Sequence, residues 1–553
     1  MKNLWKNTLI FIIFLLISCF LSYRYYRFPD WDFYSYHFFN GWAFVNNRFN
    51  IDFMPCAFRS FFNPILDALN YLAIDKLNNK PIVLVLYSGI KWSVFIFIAY
   101  KIYDFVFKTR KNKLIPVIFC TILAGSSPML LYALSFESTD IQTAVLVLGG
   151  FYLFIKEIFN NSGKYRYYII FLAMLLVGMS VGLKYVNVSF AIAFLLSAIC
   201  LYKKIENPKK TILIMFFGIV CGFVITGGYW MYFLCSKFKN PFFPYFNNIF
   251  KSPYASTASS IFMIDFAHLR PNNLLEFVFY PLRNSGINPG VGFERTFFDL
   301  KISLGFIAFI FIFILLRNRN ATEKIKSTID INILYLLMYS VVFVYYINLI
   351  LFGQLRYVLP LFAIIPVIIY LFIINISKNE YFHCSVLAGL LVYFSTYQGY
   401  SGMGERDWVY PSKVISVEDL HFEDNATVIC GNLTTCFIAP TQNPNVRYVG
   451  FSLPKDLAEK GYYHLKYMFS NRYYTNNFLG WYISRILAQN NNVYFIYSEE
   501  GLGEYLIDLK LYQYALLRYS RGKVSLKNCR FVKYRVFDSL SALDTLKVCK
   551  IKD

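Results

Sequence analysis

Eleven mostly apolar stretches punctuate this chain, near residues 9–23, 82–107, 114–134, 141–159, 168–182, 188–202, 212–234, 302–316, 331–352, 358–376 and 382–397. A helix needs roughly 20 apolar residues to cross about 30 Å of hydrocarbon. Inside lipid every backbone polar group must be satisfied within the segment, so such stretches cross as helices. The pattern therefore predicts an α-helical polytopic membrane protein with about 11 transmembrane helices. Composition agrees: 57% of the 553 residues are hydrophobic and only 16% are charged, against about 25% charged in soluble domains.

The formal net charge of +22 invites a nucleic-acid reading, which the placement of the bases excludes. Lys and Arg collect in short loops such as 108–113 and 203–210, where anionic headgroups and insertion topology account for them. The expected partner there is the lipid bilayer, with no nucleic acid. Taking the N-terminus as cytoplasmic, the inner loops are 108–113, 156–166, 203–210, 317–326 and 377–380, and four of these five are rich in Lys or Arg. The intervening segment 135–140 holds two acids and no base. No small-x-small cleavage site follows the first stretch, so it reads as an uncleaved anchor. The expectation is a multi-pass bacterial inner-membrane protein with a periplasmic or extracellular C-terminal domain.

Three outer segments are longer than connectors: 24–80, 236–301 and the tail. Long loops that are not low-complexity usually carry function. Residues 34–45 and 61–77 read as amphipathic helices lying in the membrane interface. The expected division is a membrane domain over 1–398 and an outer domain over 399–553. Alternating segments at 426–430, 446–450 and 492–497, with helix-like stretches at 477–489 and 503–517, make the tail a small α/β domain. Cys430, Cys436, Cys529 and Cys549 lie there, where an oxidising compartment permits disulfides. Four cysteines allow three pairings.

Chemistry concentrates just past the first helix, at Asp30-Trp31-Asp32. Acids at a membrane surface are costly to desolvate and so have a partner or a task. One reading makes a partly buried carboxylate the general base toward a hydroxyl. The other makes Asp30 and Asp32 caps of the helix that follows. In 135–140, Glu137 and Asp140 are candidates to hold a divalent metal with Asp30 or Asp32, or to pair with a cation such as Lys184. The alternative, preferred for Asp140, is that Ser138 or Thr139 caps the next helix while Asp140 favours its N-terminus.

An uncleaved first helix followed at once by an acidic outer loop resembles the GT-C class of membrane glycosyltransferases. Five strings resemble a branch of bacterial membrane proteins near that class: Tyr36-His37-Phe38-Phe39-Asn40-Gly41-Trp42-Ala43, Asn63-Pro64-Ile65-Leu66-Asp67, Gly182-Leu183-Lys184-Tyr185, Asn240-Pro241-Phe242-Phe243-Pro244-Tyr245-Phe246-Asn247 and Arg356-Tyr357-Val358-Leu359-Pro360. The resemblance implies a GT-C-like fold and transfer of a sugar from a polyprenyl-phosphate carrier to a glycan, lipid or protein acceptor. It implies catalysis by Asp32 or Asp30, with Asp32 favoured, and a possible divalent metal, Mg or Mn. It implies substrate contacts from His37, Asn40, Arg59, Asn63, Asp67, Lys184, Glu294, Arg295, Arg356 and Tyr357. Cations facing a lipid phosphate suit that reaction, arginine through bidentate contacts and lysine as a point charge. The alternatives are a transporter or flippase, or a polymerase or ligase, of lipid-linked glycans.

Overall fold

A computed structural model describes residues 2–24, 32–110, 112–134, 138–160, 163–254, 271–283, 299–396, 412–431, 434–451, 477–489, 492–498, 513, 516–520, 525–536 and 546–552. The chain divides into two compact units. The first combines Met1–Arg27, Val85–Gly228 and Phe262–Asp407, and the second combines Phe28–Leu84, Tyr229–Ile261 and Trp408–Asp553.

The first unit is helical, and each of the eleven apolar stretches carries a helix. The principal ones are α1 (Lys2–Arg24), α4 (Pro81–Val106), α5 (Leu114–Gly125), α6 (Thr139–Glu157), α7 (Arg166–Leu183), α8 (Val188–Cys200), α9 (Pro208–Phe238), α10 (Lys301–Leu315), α11 (Ile331–Leu351), α12 (Leu361–Ile376) and α13 (Glu380–Thr396). Among the described residues, six are long and apolar enough to cross a membrane, or seven if the bent pair Lys301–Leu315 and Arg319–Lys326 is one span. Leu114–Gly125, Tyr185–Cys200 and Leu361–Ile376 are apolar but shorter.

Residues 361–371 of α12 are all buried, as expected for a helix that is hydrophobic all round. It packs against α5 and α10. Glycines set the close approach of α7 to α9. A Cβ on Gly178 would stand 2.1 Å from the Ile219 carbonyl oxygen, and one on Gly222 would stand 2.1 Å from that of Leu175. The spacings Gly178-x3-Gly182 and Gly218-x3-Gly222 are small-residue motifs that let helix backbones touch in lipid. Thr226 Oγ1 completes the contact by donating to the Met179 carbonyl at 2.8 Å.

The second unit holds two early helices, α2 (Phe38–Val45) and α3 (Ile65–Leu77), and the α/β tail. The tail strands are β1 (Ile415–Val417), β2 (Thr427–Cys430), β3 (Arg447–Gly450), β4 (Val493–Ser498), β5 (Ser525–Phe531), β6 (Tyr534–Val536) and β7 (Leu546–Lys552), with helix α14 (Asn477–Gln489) before β4. The main sheet runs β3-β2-β4-β7-β5, and β1 pairs with β6. Strands β2, β3 and β4 are parallel, while β7 is antiparallel to both neighbours. The three alternating segments and the 477–489 helix form where the pattern places them. Most of the 503–517 stretch lies outside the described residues.

Phe53, from the early segment, bridges to Val449 in parallel. Its N–H donates to the Tyr448 carbonyl at 3.0 Å, and its carbonyl accepts from Gly450 N–H at 2.9 Å. The β3 edge is thereby covered. Arg48 locks this arrangement with Nε and Nη2 on the two Asp52 carboxylate oxygens at 2.9 and 2.8 Å, and Nη1 on the Pro444 carbonyl at 2.6 Å. Its Nη2 also reaches the Val446 carbonyl. Burial pushes the Asp52 carboxyl up, while Arg48 and the Tyr448 N–H pull it back.

The reading of 34–45 as an interfacial helix does not hold. Residues 33–43 are buried throughout, packed on α3 and on the Cys436–Thr441 turn, where Tyr34 meets Phe437 edge-on at 5.2 Å. Aromatic side chains dominate this stretch, so it has apolar surface to bury on every side.

Two disulfides join Cys430 to Cys436 and Cys529 to Cys549. The second links neighbouring strands β5 and β7.

Candidate active site

Residues 33–37 form a single π-helical turn with Asp32 at its N-cap position. Such turns are rare and concentrate at functional sites. The half-buried Asp32 makes no side-chain capping hydrogen bond, so the capping reading fails for this residue. Its backbone carbonyl accepts from Ser35 Oγ at 3.3 Å. Asp30 lies outside the described residues.

At the far end of the turn, His37 Nδ1 stands 2.6 Å from Asp67 Oδ1. Both are buried, at 7% and 3% exposure. Gly41 makes the pairing possible, because a Cβ there would lie 2.3 Å from the Asp67 carbonyl oxygen and hold α2 off α3. Asn40 Nδ2 donates to the Arg59 carbonyl at 2.8 Å. The half-buried Arg59 lies over the Phe58 ring at 4.7 Å. Asn63 Oδ1 accepts from Ile65 N–H at 3.1 Å and from the Tyr229 hydroxyl at 3.3 Å, so it helps start α3. Thus Asp32, His37, Asn40, Arg59, Asn63 and Asp67 all lie in the second unit. Asn40, Asn63 and Asp67 have clear structural duties there. Cys56, fully buried beside Ser60, has its thiol pushed well up by burial.

The first unit assembles a second group. Lys184 ends α7 in an extended conformation, and a short turn, Tyr185–Asn187, leads into α8. Gly353, at φ 70°, and Pro360 bracket another short turn, Leu355–Val358. These turns meet. Lys184 Nζ lies 5.5 Å from the Tyr357 ring centre, and Arg356 Cζ lies 5.2 Å from the same centre. Both cations are half-buried, and cation–π contact of this kind strengthens on desolvation.

Lys184 also donates to Thr139 Oγ1 at 3.2 Å and pairs with Asp140. Of the readings open for Asp140, the structure shows the pairing with a cation. The acid sits in the first turn of α6, but its carboxylate holds Lys184, and Ser138 at the N-cap makes no side-chain cap. Asp299, just before α10, is fully buried. It binds Lys301 Nζ at 3.0 Å and accepts from Ser127 Oγ at 2.5 Å. Glu137, Glu294 and Arg295 lie outside the described residues.

Sequence reasoning passed over Lys91, buried within α4 with its ammonium 5.1 Å from the Tyr87 ring centre. The signal was available: a lysine inside a long apolar span marks a functional candidate. Among the described residues, no group of three or more His, Cys, Asp or Glu side chains is placed to hold a metal ion.

The apolar helices and the C-terminal sheet define a multi-pass helical membrane protein with an α/β tail. Its structure is similar to the crystal structure of ArnT from Cupriavidus metallidurans bound to undecaprenyl phosphate, with a TM-score of 0.51 at 11% sequence identity. The match covers 98% of this chain and 97% of that one. At that identity the likeness is one of fold, and it bears out the GT-C-like architecture with its C-terminal sheet domain. No family model and no curated protein sequence matches the chain.

Proposed function

We propose that this protein is an inner-membrane glycosyltransferase that moves a sugar from a polyprenyl-phosphate carrier to a cell-envelope acceptor on the periplasmic side. The observation that carries the reading is the meeting of Lys184, Arg356 and Tyr357 in a chain with an ArnT-like fold. Undecaprenyl phosphate is bound to that ArnT, and a lipid phosphate is the ligand that two half-buried cations at a helix-end turn suit best.

The chemistry is a single displacement. The acceptor hydroxyl oxygen attacks the anomeric carbon, the bond from that carbon to the phosphate oxygen breaks, and the configuration inverts. Asp32 takes the hydroxyl proton as general base. Lys184 and Arg356 stabilise the negative charge that grows on the departing lipid phosphate. His37, held by Asp67, orients the turn that carries Asp32. The acceptor is a glycan, lipid or protein.

The test uses the purified full chain in lipid vesicles with labelled polyprenyl-phosphate sugars and candidate acceptors. Asp32→Asn is expected to lower transfer at least about 100-fold, the low end for a lost general base, while donor binding persists. Transfer at the wild-type rate by Asp32→Asn would remove the base assignment. Movement of intact lipid-linked sugar across the vesicle, without transfer, would instead make the chain a flippase.

A further inference from the structure

Helix Leu274–Arg283 lies in the long 236–301 segment and is too short to cross a bilayer. At 3.6 residues per turn its side chains fall into three sectors. Phe277, Tyr280 and Pro281 occupy one, and Tyr280 and Pro281 are buried. There the helix is docked: the Tyr346 hydroxyl donates to the Val278 carbonyl at 2.7 Å, Ser303 Oγ donates to the Pro281 carbonyl at 2.8 Å, and the Phe277 and Tyr346 rings lie 4.9 Å apart. Glu276 and Arg283 occupy a second sector and pair with each other.

The third sector spans about 140°. It holds Leu274, Leu275, Val278, Phe279 and Leu282, exposed by 77, 71, 41, 46 and 37%. Phe279 meets the Phe306 ring of α10 edge-on at 6.4 Å, yet all five side chains of the row stay exposed, so helix packing does not account for it. Five large apolar side chains with no polar residue among them would be a standing liability in water.

We infer that this helix is half-inserted in one leaflet of the bilayer, with the Leu274–Leu282 row seated among lipid acyl chains. Two observations favour lipid over a protein partner. The docking residues belong to helices of the membrane bundle: Tyr346 lies five residues inside the end of α11 (Ile331–Leu351), and Ser303 lies two inside the start of α10 (Lys301–Leu315). The helix is therefore moored at the depth where those helices enter the bilayer. The Glu276–Arg283 pair borders the apolar row and satisfies its own charges, as suits a headgroup boundary rather than a charged partner. The inference does not depend on the proposed reaction.

Photocrosslinking tests it in the intact protein. A p-benzoylphenylalanine replaces Leu275 in one variant, Phe279 in a second and Arg283 in a third. Each is reconstituted into phosphatidylethanolamine–phosphatidylglycerol vesicles and irradiated, and adducts are read by mass spectrometry. Phospholipid adducts at 275 and 279 are expected to exceed those at 283 several-fold. Equal adduct yields at all three positions, or adducts to protein rather than lipid at 275 and 279, would overturn the inference. The two positions are independent, so failure of one variant to fold leaves the other as the test.

Discussion

The Lys184–Asp140 pair sets a sign that experiment can check at the residue scale. Asp140 competes with any phosphate for the lysine ammonium. Asp140→Asn is therefore expected to leave donor KM unchanged or lower it. Lys184→Ala removes a charge-assisted contact of roughly 1.5–3 kcal/mol and should raise donor KM at least about tenfold. The double variant should keep the raised KM while removing the half-buried acid that Lys184→Ala leaves without its lysine. Steady-state kinetics with the labelled lipid donor separate these cases. A different outcome is expected at His37 and Asp67, which are buried and joined at 2.6 Å. Asp67→Ala removes one member of this buried pair, and such a loss costs on the order of 3 kcal/mol. Denaturant unfolding in detergent should show that loss. Arg59 lies over the Phe58 ring and Tyr357 lies beside Lys184 and Arg356, whereas Asn40 and Asn63 are held by backbone partners. The strings that suggested these residues are legible in sequence because glycine, asparagine and proline build local turns there. What each side chain binds depends on residues far along the chain, and so was not legible.

Among the elements, the α7–α9 contact depends on glycines that admit no side chain. Gly222→Leu would drive its Cβ to within 2.1 Å of the Leu175 carbonyl oxygen and should lower the melting temperature in detergent by several degrees. Gly389→Leu is the control. Nothing lies within 4 Å of a Cβ at that position of α13, so the same substitution should leave stability close to wild type. Periodicity located elements well where the governing force is local. The strands at 427–430, 447–450 and 493–498 follow alternation, and each apolar stretch carries a helix, though among the described residues six, or seven with the bent pair, are long and apolar enough to cross a membrane. Amphipathicity misled at 34–45 because it reports which faces could be polar, not which are covered. Conversely, helix Leu274–Arg283 carries an exposed apolar row within the long 236–301 segment that amphipathicity did not single out.

On the scale of the whole molecule, long-range pairing decides the second unit. Arg48 reaches Pro444 across 396 positions, and no window of sequence could have announced that. The disulfides act at shorter range, across 6 and 20 positions, and the presence of cysteines in the tail had suggested them. Cys529–Cys549 closes a loop of 20 positions, for which chain entropy alone gives about 3 kcal/mol. Cys529→Ser with Cys549→Ser should lose stability of that order. Alkylation before and after reduction of the intact chain should reveal four additional thiols, and fewer would remove one or both bridges.

Because Phe53 adds its backbone to the β3 edge, the tail's sheet is completed by a segment encoded almost 400 codons upstream. A gene fusion that moved the last 150 residues alone onto another scaffold would deliver a sheet with a raw margin and an Arg48 lock left behind. The heritable module is a discontinuous one, so any chimera between relatives has to trade both pieces together.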